Sequence, residues 1–111
     1  MDSLVDHSRV LAAFTSRYGT PPFEVSHGGG VFTTQLLPRA SADDRAALKT
    51  NRAVLAALGL VRGVSHTEFI KSTAGQWFFL ETSARVGGAH IVELIEAATG
   101  VNFWHEWAKI E

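Results

Sequence analysis

At 111 residues, 46% hydrophobic and 19% charged, the chain has the composition of one globular domain and is too short for two. A formal net charge of −1 gives no electrostatic case for nucleic acid or an anionic membrane. No apolar run approaches the roughly 20 residues that cross a bilayer, and the absence of cysteine excludes disulfides and thiolate metal sites.

Met1-Asp2-Ser3-Leu4 has neither the basic nor the apolar stretch of a signal peptide, so a cytoplasmic location is the expectation. Residues 10–18 (VLAAFTSRY) are β-branched and aromatic enough for a strand, preceded by a turn at Asp6-His7-Ser8-Arg9. Leu4-Val5 would close a partner strand. Pro21-Pro22 forces an extended path, Gly28-Gly29-Gly30 marks a loop, and residues 31–37 (VFTTQLL) form a second strand closed by Pro38.

The clearest helix follows. Ser41 is an N-cap, Asp44 makes an acidic variant of the capping box, and Leu48, Asn51, Val54, Leu55 and Leu58 share one side. Gly59 sits where a left-handed residue would end it. Two strands, residues 63–71 and 76–84, flank a turn at Ala74-Gly75. A second helix carries Ile91, Leu94, Ile95 and Ala98 and ends at Gly100. Asn102 caps a last one with Phe103, Trp104, Trp107 and Ile110. Strands before, between and after single helices predict an α+β domain, a mainly antiparallel sheet with flanking helices. The chain opens inside a hairpin and stops inside an amphipathic helix, so residues 1–111 are expected to form a single partial domain.

Glu68 and Glu81 carry the strongest chemical signal. A turn centred between Ala74 and Gly75 puts Ser72 opposite Trp77, Ile70 opposite Phe79, Glu68 opposite Glu81 and His66 opposite Ser83. Directly opposed residues share a face, with Cβ atoms about 4.5–5.5 Å apart. Two carboxylates so close repel unless a proton or cation lies between them. Hard oxygen ligands without cysteine favour Mg²⁺ or Mn²⁺, and a Mg²⁺ site of two carboxylates leaves positions for water and substrate phosphates. The alternative is a solvated face on which the two charges are screened. Downstream, Arg85 offers a planar cationic fork. Gly87-Gly88 lets the backbone approach a ligand, and the next helix N-terminus supplies free N–H groups. A glycine turn beside a surface arginine is the plainer reading.

Other positions say less. His27 before the triple glycine suits a loop over a substrate or a plain surface loop. His90 and Glu93 suit an exposed i,i+3 pair. Phe103, Trp104 and Trp107 suit packing, and His7 and His105 suggest no role.

The residues Ala57-Leu58-Gly59-Leu60, then Gly63-Val64-Ser65-His66-Thr67-Glu68-Phe69, then Phe79-Leu80-Glu81-Thr82-Ser83-Ala84-Arg85-Val86-Gly87-Gly88-Ala89-His90-Ile91, resemble the C-terminal part of ATP-grasp enzymes. The likeness is to the carboxylate–amine ligases that include L-amino-acid ligases. It implies that Glu68 and Glu81 bind the Mg²⁺ (or Mn²⁺) ions bridging ATP phosphates, and that Arg85 contacts phosphate or the acyl phosphate. It places Gly87 and Gly88 in the substrate pocket and His66 near the metals. Ser83 stands where the family often has a metal-binding asparagine, which leaves one metal or two open.

The implied reaction joins a small carboxylate to an amine (or a thiol) through an acyl phosphate made with ATP. Such enzymes also need upstream preATP-grasp and ATP-binding parts. The expectation is therefore half an active site, inactive alone and working with its parent, a complementing chain or a self-associated copy. A non-catalytic nucleotide- or protein-binding module derived from the same fold is the alternative, and a metal-dependent hydrolase a weaker third. No nucleic acid or membrane partner is expected.

Overall fold

The computed structural model, which describes residues 1–20 and 22–111, opens on a tight hairpin of β1 (Asp2–Asp6) and β2 (Arg9–Phe14). Its two turn residues, His7 and Ser8, are both left-handed (φ 48° and 60°), the backbone hand that matches the twist of the flanking strands. The strand expected over residues 10–18 is in fact two. The Thr15 hydroxyl donates to Asp44 Oδ1 at 2.7 Å, and its carbonyl accepts from Leu37 N at 2.9 Å. Pinned at Thr15, the chain leaves the first sheet, and β3 (Ser16–Tyr18) pairs instead with β4 (Thr34–Leu36). That second strand is shorter than residues 31–37.

Of the proline pair, Pro21 lies outside the described residues. Pro22 heads a helix, α1 (Pro22–Gly28), rather than an extended path. Proline is well placed there, because the first turn has no use for its missing N–H. The triple glycine ends that helix: Gly29 is left-handed (φ 75°) and its N–H donates to Val25 O.

Helix α2 (Ala42–Ala57) is capped as its sequence predicts at the Ser41 end, where Ser41 Oγ accepts from Asp44 N at 3.2 Å. The reciprocal bond differs. The Asp44 carboxylate reaches Ala40 N at 2.8 Å, one residue before the cap. At the other end Gly59 (φ 72°) donates to Ala56 O and Leu60 N to Leu55 O, a Schellman closure. The buried line is Asp44, Ala47, Asn51 and Leu55, whereas Leu58 is exposed.

Strands β5 (Gly63–Lys71) and β6 (Trp77–Ser83) complete a four-stranded antiparallel sheet in the order β2-β1-β5-β6. Helices α3 (Ile91–Thr99) and α4 (Phe103–Ile110) follow, ended by left-handed Gly100 and started by Asn102, whose Oδ1 accepts from His105 N. The two faces of the sheet have different covers. Leu4, Phe14 and Val64 pack with Val86, Ile91, Val92, Ile95 and Phe103 on the α3–α4 side. Met1 and Ala13 pack with Ala47 of α2 on the other, where Asn51 Nδ2 also donates to Ser3 Oγ at 2.8 Å. The β3–β4 ribbon leans on the first side through Tyr18 and Leu36. Strand alternation therefore places Asp2, His66 and Glu68 on the α3–α4 face, at the end where that ribbon arrives.

Candidate functional site

The β5–β6 hairpin decides whether its two glutamates meet. Its loop holds three residues, 73–75, one more than a turn centred between Ala74 and Gly75 requires. Gly75 N donates to Ser72 O at 2.9 Å, Gly75 is left-handed (φ 83°), and Ser72 N donates to Gln76 O at 2.8 Å. Near the turn the pairs are accordingly Lys71–Trp77, Ile70–Phe78 and Phe69–Phe79, not Ser72–Trp77 and Ile70–Phe79. Continued unbroken, that register would set Leu80 opposite Glu68 and turn Glu81 to the α2 face. A bulge intervenes between Glu68 and Phe69, with Leu80 the unpaired residue of β6, and beyond it Glu68 pairs with Glu81 and His66 with Ser83, as expected.

The bulge absorbs an extra residue, so deleting Leu80 should leave Glu81 opposite Glu68 on a straight ladder. Cross-strand nuclear Overhauser contacts between residues 68 and 81 should then persist. Their loss would show that the pair depends on the bulge itself.

Around this pair lies a network that the sequence disclosed only in part. His66, 5% exposed, contacts Asp2 Oδ1 through Nδ1 at 2.8 Å. Its Nε2 lies 3.3 Å from the Tyr18 hydroxyl and 3.4 Å from Glu68 Oε1. Tyr18 donates to the same Glu68 Oε1 at 2.8 Å, and its ring rests on Phe32 with centroids 5.0 Å apart. Burial pushes the Tyr18 phenol well above its usual range, helped by the hydrogen bond to Glu68 and the charges of Glu68 and Asp2; Arg85 acts against the rise. Tyr18 therefore stays a protonated donor throughout the neutral range. Asp2 and Tyr18 were absent from the sequence-based candidates. An acidic residue in β1 and a tyrosine at a strand end carry no motif, and only the tertiary fold brings them to β5.

Glu68 is half-buried and Glu81 exposed. Neither is neutralised by a lysine or arginine among the described residues, and Glu81 makes no hydrogen bond or ion pair to any of them. Among the described residues no group of three or more His, Cys, Asp or Glu side chains is arranged to hold a metal ion unaided. Two adjacent carboxylates without a neutralising cation nevertheless fit a Mg²⁺ ion whose shell is completed by water and phosphate, which needs only one or two protein carboxylates. A groove of about 620 Å³ reaches Glu68 and Tyr18 but not Glu81, and runs on to Met1, Asp43, Ala47 and Trp77 on the α2 side. Its size is in the range of small-molecule sites.

The segment after β6 differs from expectation in its glycines. Gly87 is buried against the network, not opened toward a ligand: a Cβ there would lie 2.6 Å from Asp2 Oδ1 and 3.0 Å from His66 Nδ1. Gly88 is exposed, with nothing within 4 Å of a built Cβ. Ala89 and His90 are both left-handed (φ 50° and 60°), and His90 gives α3 no side-chain cap. Arg85 is exposed, and one guanidinium nitrogen donates to Val86 O at 2.8 Å. Ser83 is half-buried opposite His66. His90 and Glu93 form an exposed pair at 3.8 Å, remote in character from a metal site. His27 lies 3.0 Å from Ser26 Oγ on α1. Trp104 and Trp107 stack on each other, while Phe103 enters the core.

The fold is similar to that of L-amino acid ligase from Bacillus licheniformis, with a TM-score of 0.71 and 25% sequence identity. The match covers 92% of this chain and 26% of the ligase, so the chain spans about a quarter of that protein. No family model matches the chain, and no curated protein sequence does. The α+β fold, antiparallel sheets flanked by helices, thus matches an ATP-grasp-like architecture. No described helix is long and apolar enough to cross a membrane.

Proposed function

We propose that this chain is the C-terminal, metal-carboxylate part of an ATP-dependent ligase that joins a small carboxylate to an amine or thiol acceptor through an acyl phosphate. The observation that carries the reading is the pairing of Glu68 with Glu81 on one face, beside His66, in a fold that matches an amino acid ligase. In this reading Glu68 and Glu81 hold Mg²⁺ or Mn²⁺, which supplies positive charge to the ATP phosphates. Arg85 and the N–H groups at the start of α3 orient the transferred phosphoryl group and the activated acid, and His66 and Ser83 pair two residues further along the strands from the two glutamates. Each of these contributions is electrostatic and positional, which is what phosphoryl transfer asks of a protein. Residues 1–111 act as one partial unit, completed by upstream ATP-binding parts or by another chain.

A second reading, a nucleotide- or protein-binding module without catalysis, is favoured by Ser83. Its hydroxyl is a weaker oxygen ligand than an asparagine carbonyl, so this side of the site offers less to a second ion.

Calorimetric titration separates the two. The ligase reading expects ADP binding that requires Mg²⁺ and disappears in EDTA. Binding indifferent to Mg²⁺, or none in a folded sample, would favour the module. Ligation by residues 1–111 alone would overturn the half-site reading.

A further inference from the structure

Glu68 does not present both of its oxygens to the site. Oε1 accepts the Tyr18 hydroxyl at 2.8 Å and faces His66 Nε2 at 3.4 Å, whereas Oε2 makes no hydrogen bond to a described residue. Everything behind Oε1 is fixed. His66 is braced by Asp2, which is 1% exposed, and a Cβ on Gly87 would collide with both. Tyr18 is held from the other direction by the β3–β4 ladder and by the Phe32 ring. One carboxylate oxygen is thus tied to a chain of three side chains from β1, β3 and β5, and the other is left for a ligand.

We propose that Asp2 and Tyr18 are positioning residues that make Glu68 a one-oxygen ligand and thereby set which divalent ion the site prefers. The proposal rests on the reading of Glu68 as a metal ligand and adds residues and a selectivity to it. Ca²⁺ takes six to eight oxygens in loose geometry and readily accepts both oxygens of one carboxylate. Mg²⁺ demands a small octahedron and takes single oxygens. Holding Oε1 away removes the denticity that Ca²⁺ exploits and leaves what Mg²⁺ requires. Groups that orient a metal ligand in this way typically change metal affinity by about 10- to 100-fold when removed.

The test is competition of Mg²⁺, Mn²⁺ and Ca²⁺ for the protein in the presence of ADP, read by calorimetry and by the Mn²⁺ electron spin resonance signal. Tyr18→Phe removes the hydroxyl and keeps the ring on Phe32. It should weaken Mg²⁺ by about tenfold while leaving Ca²⁺ as tight or tighter, so the Ca²⁺/Mg²⁺ affinity ratio rises. Asp2→Asn, which weakens the brace behind His66, should shift the ratio the same way. A merely structural role would lower both affinities together.

An unchanged ratio in folded Tyr18→Phe overturns the proposal, and if that variant does not fold, an unchanged ratio in Asp2→Asn does so. Glu68→Gln is the control. If it leaves ion binding intact, the metal reading itself is wrong; if it abolishes binding while Tyr18→Phe leaves the ratio unmoved, only the positioning role is lost.

Discussion

Glu68→Gln should lower the affinity for Mg–ADP on the order of 100-fold, an effect rooted in charge rather than in folding. A carboxylate and a unit cation about 4 Å apart attract by about 4 kcal/mol at the effective dielectric of a protein surface. Part of that is offset by solvation, and a hundredfold loss corresponds to about 2.8 kcal/mol. Glutamine matches glutamate in shape, and its amide oxygen can still accept from Tyr18, so the half-buried position keeps its hydrogen bond. The amide nitrogen would then face the ion with a positive end. Glu81→Gln should act in the same direction, and because Glu81 is exposed it should leave stability nearly untouched. Titration beside a thermal melt checks both. Full Mg–ADP affinity in Glu68→Gln with an unchanged melting temperature would dismiss the two-carboxylate site.

Gly87→Ala should destabilise the fold, while Gly88→Ala, one residue away, should be tolerated. The added methyl at position 87 would sit 2.6 Å from Asp2 Oδ1, 3.0 Å from His66 Nδ1 and 3.1 Å from Ile91 Cγ2. None of these atoms is the free end of a mobile side chain. Asp2 is buried with Oδ2 already lacking a partner, His66 is 5% exposed and Ile91 is 1% exposed. Relief requires moving the backbone around Val86, itself in the core. Overpacking of this kind costs about 1–3 kcal/mol, which for a domain of this size lowers the melting temperature by roughly 4–8 °C per kcal/mol. Position 88 has open space and no left-handed φ, so its alanine should fall within about 0.5 kcal/mol of the parent. Equal melting temperatures for the two variants would mean that Gly87 is not wedged against the network. The glycine would then owe its place to the ligand side.

The glycine pair shows where reading along the chain goes astray. Two adjacent glycines after an arginine suggest one shared purpose, close approach of a ligand. In three dimensions one of them makes room for a buried Asp–His contact formed with residues more than 20 positions away, and the other lies open to solvent. The hairpin carries a similar lesson. Glu68 and Glu81 do face each other, but the route differs from a turn centred between Ala74 and Gly75. The loop is one residue longer, and the bulge at Leu80 restores the offset, so two one-residue differences cancel. Side-chain facing repeats every two residues, which makes such a cancellation invisible from the pattern alone.

What the sequence determined by itself is what short-range physics governs. Ser41 and Asn102 cap their helices because a side-chain oxygen next to the first turn meets unpaired N–H groups whatever surrounds it. Gly59 and Gly100 end theirs because left-handed backbone favours glycine. The span of β5 and the α+β arrangement followed from hydropathy period and turn residues. Only the tertiary structure decided that Thr15 divides the one strand expected over residues 10–18 between two sheets, and that this break carries Tyr18 over to Glu68 while β1 brings Asp2 under His66. Those contacts join residues 50 to 64 positions apart, selected by how sheets and helices pack, and no local preference of either partner encodes them.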